Sequence, residues 1–142
     1  MKKQKIIIIS VGRSDYDRYY PILDELNKSK KVELFIFATK AHQDLLFGKT
    51  INFIDKKFKI LKKKYKGIRN DDLLVSLSED LIFLNNQIKK IQPNKIIVLG
   101  DRYEMLLGPI IAIPKNIPII HIFGGAVTEG AIDELVRHAI TK

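Results

Sequence analysis

Residues 94–104, with the sequence NKIIVLGDRYE, decide the fold of this chain. An apolar run rich in β-branched residues ends at Gly100, and charged side chains begin with Asp101. Such a run is typical of a strand that is buried on both faces in a parallel sheet. Because ligands of open α/β sheets bind outside the carboxyl ends of the strands, we expect Asp101 at the rim of a crevice. The spacing alone does not separate this role from that of a cap on the following helix.

Three further apolar runs predict strands at residues 5–10, 32–39 and 119–123. Between them, apolar residues recur at helical spacing, most clearly in residues 74–91. The predicted order, β-α-β-α-β-α-β-α, indicates an α/β fold with a Rossmann-like parallel sheet and helices on both faces. Four strands are few for this architecture, so we expect residues 1–142 to form one incomplete domain of a longer chain.

The first helix is expected to begin at Ser14 or Asp15, either of which could cap it. Because Pro21 falls within this stretch, the helix either begins near it, with Pro21 in the first turn, or is kinked there. The backbone N–H groups at its start form a natural place for an anion, with Arg13 beside them. The spacing i, i+3, i+4, i+7 predicts an apolar face made of Tyr19, Ile22, Leu23 and Leu26.

The remaining segments give weaker signals. Residues 51–60 are typical of a short helix or irregular structure, and the lysine-rich residues 56–66 are expected to be solvated. Residues 105–113 predict another apolar helix, and the last helix is expected to begin near residues 128–129. Its predicted apolar face comprises Ile132, Leu135, Val136, Ala139 and Ile140.

Composition excludes several classes of function. The 142 residues contain no cysteine, which excludes disulfides, thiolate metal sites and cysteine nucleophiles and is consistent with a cytoplasmic protein. No apolar run approaches the roughly 20 residues that cross a membrane. Much of the net charge of +9 lies in residues 56–66 and the rest is mostly scattered lysine, without interleaved aromatic residues, so nucleic-acid binding is not favoured. Only Gly12 is present where a dinucleotide-binding fingerprint needs three glycines, so the interpretation of the chain as an oxidoreductase loses its main support.

Two simple interpretations also arise from residue type and spacing. His42 follows the second predicted strand, where a single loop histidine more often packs or hydrogen-bonds than catalyses. Asp133 and Arg137 are four residues apart on a predicted helix, which is typical of a surface ion pair.

Three motifs resemble the UDP-N-acetylglucosamine 2-epimerase family, in particular the hydrolysing branch of sialic and related nonulosonic acid synthesis. They are residues 12–16 (GRSDY), 99–105 (LGDRYEM) and 121–142, which begin with HIFGG. The match spans nearly the whole chain, and the last two motifs are long and specific. The resemblance implies the N-terminal half of a GT-B-type fold, with a C-terminal UDP-binding domain absent from these residues. It also implies a UDP-sugar substrate and a possible homo-oligomer, with no metal and no cofactor.

In this family the reaction eliminates UDP across C1 and C2 of the sugar, and water then adds to give N-acetylmannosamine. A carboxylate must remove the weakly acidic C2 proton, and a cation assists the leaving phosphate. By resemblance, Asp101 and Asp133 match acidic positions of the catalytic site, and Arg13 matches a basic residue at the cleft mouth. The same motifs contribute the expected substrate-binding residues Arg102, Glu129, Arg137 and His138.

The chain departs from the family pattern at two positions. Phe123 stands where family members carry Glu or His, and Ala126 stands where Glu is common. Loss of a general acid or base typically costs about 10²–10⁴-fold in rate. The departures leave two alternatives: a changed substrate such as a 2,4-diacetamido UDP-sugar, or a non-catalytic relative that binds nucleotide sugars.

Overall fold

The computed structural model describes residues 2–65, 72–127 and 130–142. The strands are β1 (Gln4–Ser10), β2 (Val32–Ala38), β3 (Lys59–Leu61), β4 (Lys95–Leu99) and β5 (Ile119–Ile122). The α-helices are α1 (Arg13–Lys28), α2 (Leu73–Ile91), α3 (Leu107–Ala112) and α4 (Asp133–Thr141). Short 3₁₀ helices occur at Lys40–Gln43, Thr50–Phe53, Tyr103–Leu106 and Ile113–Lys115.

The strands form one parallel sheet in the order β3-β2-β1-β4-β5. The chain therefore builds outward from β1 to β3, returns to the other side of β1 as β4, and continues to β5. Because crossovers between parallel strands are right-handed, this reversal puts α1 on one face and the α2–α3 pair on the other. The predicted parallel sheet with helices on both faces is confirmed.

The centre of the sheet is dry. Ile7, Ile8 and Ile9 of β1 are all fully buried, although consecutive strand residues point to opposite faces. Tyr19 and Leu23 of α1 contribute to the same core, as do Leu84 and Ile88 of α2. A glycine is needed where α3 meets β4, because a Cβ at Gly108 would lie 2.6 Å from Val98 Cγ1.

Strand β3 was not predicted. Most lysines of residues 56–65 are exposed, as the solvated interpretation expected, but the segment also contributes a strand and a buried aromatic residue to the fold. Three residues of β3 pair with Phe35–Phe37 of β2 at the sheet edge, which is too short a run to give a strand pattern. Phe58 just before it is buried. Lys57 Nζ donates to Asp24 Oδ1 at 2.8 Å and to Tyr20 OH at 3.1 Å, so this lysine is held against α1.

Helix α1 begins earlier than predicted. Its N-cap is Gly12 rather than Ser14 or Asp15, and Pro21 lies well inside the helix. The Asp15 carboxylate turns back to accept a hydrogen bond from the Val11 N–H at 3.1 Å, so it serves the β1–α1 turn. On the predicted apolar face, Ile22 is exposed and Leu26 is half-buried, whereas Tyr19 and Leu23 are buried.

The carboxyl-terminal part also differs in detail. The apolar segment predicted at 105–113 is one α-helical stretch, α3, flanked by two 3₁₀ turns. Strand β5 is an edge strand with Ile120 exposed, not a fully buried one, and ends before Phe123.

Helix α4 begins at Asp133, later than the predicted start, and residues 128–129 lie outside the described residues. Val136 and Ile140 are buried, but Ile132 and Leu135 of the predicted apolar face are exposed. In the parts of the chain that the structure describes, no helix has the length and apolar character needed to cross a membrane.

Candidate active site

The candidate site lies at the carboxyl edge of the sheet, where the strand order reverses between β1 and β4. The turns after these two strands contain Gly12 and Gly100, the latter with φ +70°. A left-handed backbone of this kind favours glycine, and here it turns the chain immediately before Asp101. Ligands of open α/β sheets bind at such a switch point, as the sequence predicted.

Asp101 pairs with Arg137. The Asp101 carboxylate accepts a short hydrogen bond from Arg137 Nη2, while Arg137 Nη1 donates to the Ala126 carbonyl at 2.6 Å. Arg137 is 3% exposed, whereas the Asp101 side chain keeps 30% exposure. The N-cap of the next helix, the 3₁₀ helix Tyr103–Leu106, is Arg102 and not Asp101. A charge-assisted bond from a rigid guanidinium therefore fixes the direction of a partly accessible carboxylate.

Arg137 does not form the predicted surface pair with Asp133. Its buried side chain bonds Asp101 and the Ala126 carbonyl instead, and Asp133 is left exposed at the first turn of α4. The helix spacing was correct, but the i, i+4 pattern could not show that a residue after β4 competes for the arginine.

A cavity of about 450 Å³ adjoins this edge. Among the predicted residues, Arg102 and Asp133 line it. The remaining lining residues are Lys40, Ala41, Asp44, Phe47, Leu73, Ser76, Leu77, Asp80, Tyr103 and Glu104. Its volume is within the range of small-molecule sites, and its wall combines both charge signs with apolar surface.

Asp80 is a buried carboxylate in this wall. Both of its oxygens accept from the Lys40 backbone N–H, at 3.2 and 3.0 Å, and the Tyr65 hydroxyl donates a short hydrogen bond to it. Burial raises the pKa of Asp80 to about 6, although the Tyr65 and Lys40 hydrogen bonds oppose this shift. Lys40 Nζ bonds Glu79 Oε2 at 2.9 Å, which holds the pKa of Glu79 below its usual value. The cavity thus contains a carboxyl group that can change protonation near neutral pH.

Asp15 and Glu104 are further buried acids near the switch point. Burial raises the pKa of Asp15, and the Val11 N–H and the positive charge of Arg102 partly offset this effect. Arg102 Nη2 lies 3.5 Å from Glu104 Oε1 and remains half-exposed, so its charge is available to an anion in the cavity.

His42 has the packing role expected of it. Its Nε2 lies 2.9 Å from Ser10 Oγ at the end of β1, and its Nδ1 lies 2.9 Å from Thr50 Oγ1. Burial lowers the pKa of His42 to about 4, so the ring is neutral at physiological pH. The histidine fastens the segment after β2 to the end of β1.

Four of the predicted residues that the structure describes do not line the cavity: Asp101 and Arg137, which pair with each other, and Arg13 and His138. Arg13 is exposed at the start of α1, 3.5 Å from Asp17 Oδ2 and 4.6 Å above the Phe53 ring. His138 is exposed, with Nε2 3.5 Å from Glu134 Oε1, and lines a separate depression along α4. The predicted substrate contact Glu129 lies outside the described residues.

The two departures from the family motif lie at the same edge. Phe123 is exposed and has φ +60°, an uncommon conformation for a bulky residue. Ala126 contributes its carbonyl to Arg137. Within residues 2–65, 72–127 and 130–142, no cluster of three or more His, Asp or Glu side chains could hold a metal ion.

Sequence reasoning missed Lys40 and Asp80. Asp80 carried a usable signal, because it lies three residues after Leu77 and four before Leu84, on the buried stripe of α2. A carboxylate on such a stripe must have partners. Lys40 carried no comparable signal, since its position after β2 is also typical of solvated lysines.

Comparison with known proteins places this geometry in a family. Residues 24–142 match the family model described as UDP-N-acetylglucosamine 2-epimerase. The chain is 37% identical to the GDP/UDP-N,N'-diacetylbacillosamine 2-epimerase (hydrolyzing) of Campylobacter jejuni, over 100% of the chain and 38% of that relative. It is 34% identical to the UDP-N,N'-diacetylbacillosamine 2-epimerase (hydrolyzing) of Legionella pneumophila, over 98% of the chain and 38% of that relative. The chain thus spans little more than a third of the length of these relatives.

Solved structures show the same fold. The UDP-GlcNAc 2-epimerase from Neisseria meningitidis bound to UDP-GlcNAc superposes with a TM-score of 0.74 at 20% identity, over 94% of this chain and 37% of that one. Another UDP-N-acetylglucosamine 2-epimerase gives a TM-score of 0.72 at 23% identity, over 96% and 37% of the two chains. These likenesses confirm the expected N-terminal part of a GT-B-type fold. Because the family model matches residues 24–142, which are most of the chain, the chain belongs to the UDP-N-acetylglucosamine 2-epimerase family and resembles its hydrolysing members.

Proposed function

We propose that residues 1–142 are the N-terminal domain of a hydrolysing UDP-sugar 2-epimerase. A second domain would supply the uridine diphosphate site, so these residues alone are not expected to turn over. The observation that carries the proposal is the accessible carboxylate Asp101, fixed by buried Arg137 at the switch point of a family member. The reaction is elimination of UDP across C1 and C2, followed by addition of water to give the free 2-epimeric sugar.

The proposed substrate is a UDP-sugar with acetamido groups at C2 and C4. The two relatives named for diacetylbacillosamine are 37% and 34% identical to the chain, whereas the UDP-N-acetylglucosamine 2-epimerase of Neisseria meningitidis is 24% identical. UDP-N-acetylglucosamine, named for the Neisseria meningitidis relative, is the competing substrate.

The residues divide the work as follows in this proposal. Asp101 and Asp133 provide the carboxylates for proton transfer, and Arg102 at the cavity wall stabilises the leaving phosphate. Arg137 acts by orienting Asp101, because its guanidinium is buried and already bonded. Arg13 and His138, both exposed, are left to contact substrate or the second domain across the cleft.

A second candidate function is favoured by Phe123 and Ala126. Neither side chain can donate or accept a proton, at two positions where family members carry ionisable groups. A non-catalytic relative that binds nucleotide sugars would show this pattern.

The test uses the product of the intact gene, translated as far as its natural stop codon. We expect it to release UDP and a free 2,4-diacetamido sugar from UDP-N,N'-diacetylbacillosamine. ³¹P and ¹H NMR measure the two products. Asp133→Asn and Asp101→Asn are each expected to lower kcat by about 10²–10⁴-fold. Glu25→Gln, which changes an exposed carboxylate on α1, is the matched control and should keep wild-type turnover.

The outcomes separate the alternatives. Release from UDP-N-acetylglucosamine alone would correct the substrate but keep the reaction. UDP-sugar binding without any release would favour the non-catalytic relative. Asp101→Asn removes the partner of a buried arginine, so its fold must be checked by circular dichroism; Asp133→Asn is free of this complication because Asp133 is exposed.

A further inference from the structure

His121 joins three separate parts of the carboxyl edge. It is the third residue of β5, and its side chain is half-buried. Its Nε2 lies 2.7 Å from the Gly100 carbonyl oxygen at the end of β4, and its Nδ1 lies 2.9 Å from Thr141 Oγ1 in the last turn of α4. One imidazole therefore spans a strand end and a helix end that are 41 residues apart in sequence.

The Gly100 partner dictates the direction of the Nε2 bond. A carbonyl oxygen only accepts, so Nε2 must carry the proton that bonds Gly100. Nδ1 faces the Thr141 hydroxyl, whose single proton can serve only one acceptor. Thr141 Oγ1 also lies 3.1 Å from the Gly124 carbonyl, which draws the turn after β5 into the same cluster.

Close packing shows that this position of the ring is built into the fold. A Cβ on Gly124 would lie 2.5 Å from His121 Nδ1 and 3.0 Å from Thr141 Oγ1. Only glycine lets the backbone approach the imidazole so closely. The adjoining Phe123 holds an uncommon positive φ, so the turn bends sharply to bring Gly124 onto the ring.

The bonded carbonyl belongs to the residue immediately before Asp101. Gly100 has φ +70° and no side chain, so its peptide has conformational freedom that a neighbour must restrict. His121 restricts the backbone at Gly100, and Arg137 on α4 restricts the Asp101 carboxylate. The same histidine also ties down α4 through Thr141.

We infer that His121 is a positioning residue that sets the location of Asp101 through the Nε2–H···O=C bond to Gly100. This assignment rests on the proposed function, in which Asp101 transfers the proton. His121 does not itself contact the substrate in this role. Removing the bond should therefore lower kcat and leave KM nearly unchanged, since misplacement by about 1 Å can cost on the order of 10²-fold in rate.

Two substitutions in the intact gene product test which end of the ring matters. In His121→Gln the amide nitrogen reaches the place of Nε2, so the bond to Gly100 is kept and kcat should fall by less than about 10-fold. In His121→Asn the shorter amide reaches only the place of Nδ1, so the bond is lost and kcat should fall on the order of 10²-fold. Equal kcat values for the two variants, or a change confined to KM, would overturn the inference.

A glycine pair provides an independent test with the histidine unchanged. Gly124→Ala pushes a Cβ into the imidazole and should lower kcat as His121→Asn does. Gly125→Ala is the matched control, because a Cβ there meets nothing within 4 Å, and it should retain turnover. Similar losses in both variants would show that the turn, not the histidine, sets the rate.

The ring tautomer gives a readout that does not depend on turnover. ¹⁵N NMR of the histidine-labelled wild-type protein should show His121 with a proton on Nε2, assigned by the signal missing from His121→Gln. An Nε2 without a proton would exclude the bond to Gly100 and overturn the inference. If the wild-type protein released no UDP from either sugar, the proposed function would fail, and the tautomer would still decide whether the bridge exists.

Discussion

At the residue scale, two buried ionisable groups give opposite pH dependences to stability. Burial raises the pKa of Asp80 from 3.8 to about 6, so between these values the folded protein holds a proton that the unfolded chain has released. Its contribution to stability therefore falls as pH rises. Burial lowers the pKa of His42 from 6.5 to about 4, so here the unfolded chain binds more protons and stability rises with pH. The two contributions oppose each other over the same window.

Removing one of the two groups should leave the pH dependence of the other visible in the free energy of unfolding. The free energy of unfolding of Asp80→Asn should increase relative to that of the wild type as pH rises from about 4 to 6. The expected increase is up to about 3 kcal/mol, at roughly 1.4 kcal/mol per pKa unit. His42→Gln should lose stability relative to wild type over the same interval. Urea unfolding at several pH values measures both. Slopes of the same sign in the two variants would contradict this assignment.

The residues of the site were predictable only where a motif or a strand end marked them. Asp101 follows β4, and its place at the carboxyl edge of the sheet could be predicted from the apolar run before it. Its bond to Arg137 could not, because the partner comes from a helix 36 residues later. His42 was correctly expected to pack or hydrogen-bond, but its partners Ser10 and Thr50 are set by the tertiary fold.

At the element scale, α2 shows how well a periodic pattern predicts burial. Leu84 is fully buried, whereas Leu74, in the same apolar repeat, is 70% exposed because it lies in the first turn. Leu84→Ala should lower the free energy of unfolding by about 2–5 kcal/mol through loss of packing and a residual cavity. Leu74→Ala is the matched control, with an expected change within about 0.5 kcal/mol. Chemical denaturation checks both, and a comparable loss in Leu74→Ala would show that the start of α2 is packed more tightly.

Elements with strong periodicity were predicted and weak ones were not. Strands β1, β2 and β4 have continuous apolar runs, and their observed bounds differ from the predicted ones by about one residue. Strand β3 has three residues and exists only because β2 offers an edge to pair with, which is a long-range effect. Pro21 misled the prediction of α1, since the helix starts at Arg13, ahead of the proline, and continues past it.

At the scale of the whole molecule, the order β3-β2-β1-β4-β5 assembles the site from distant sequence segments. The turns after β1 and β4, the start of α2 and the start of α4 all converge on the carboxyl edge. The alternation of strands and helices predicted this edge, because the carboxyl ends of parallel strands lie together. It could not predict the hydrogen bonds among the segments, which join residues as far apart as Lys40 and Asp80.

The central position of β1 has a consequence for biosynthesis. β1 leaves the ribosome before β4, but one of its two edges pairs with β4, which begins about 85 residues later. At about 5–20 residues per second, that edge of an isoleucine-rich strand stays open for roughly 4–17 s. Unpaired apolar edges promote aggregation. Nascent chains that have exposed no residue beyond 94 should therefore be captured by holdase chaperones, as measured by crosslinking. Chains that have exposed residues beyond 122 should be released. Capture that does not depend on chain length would contradict this expectation.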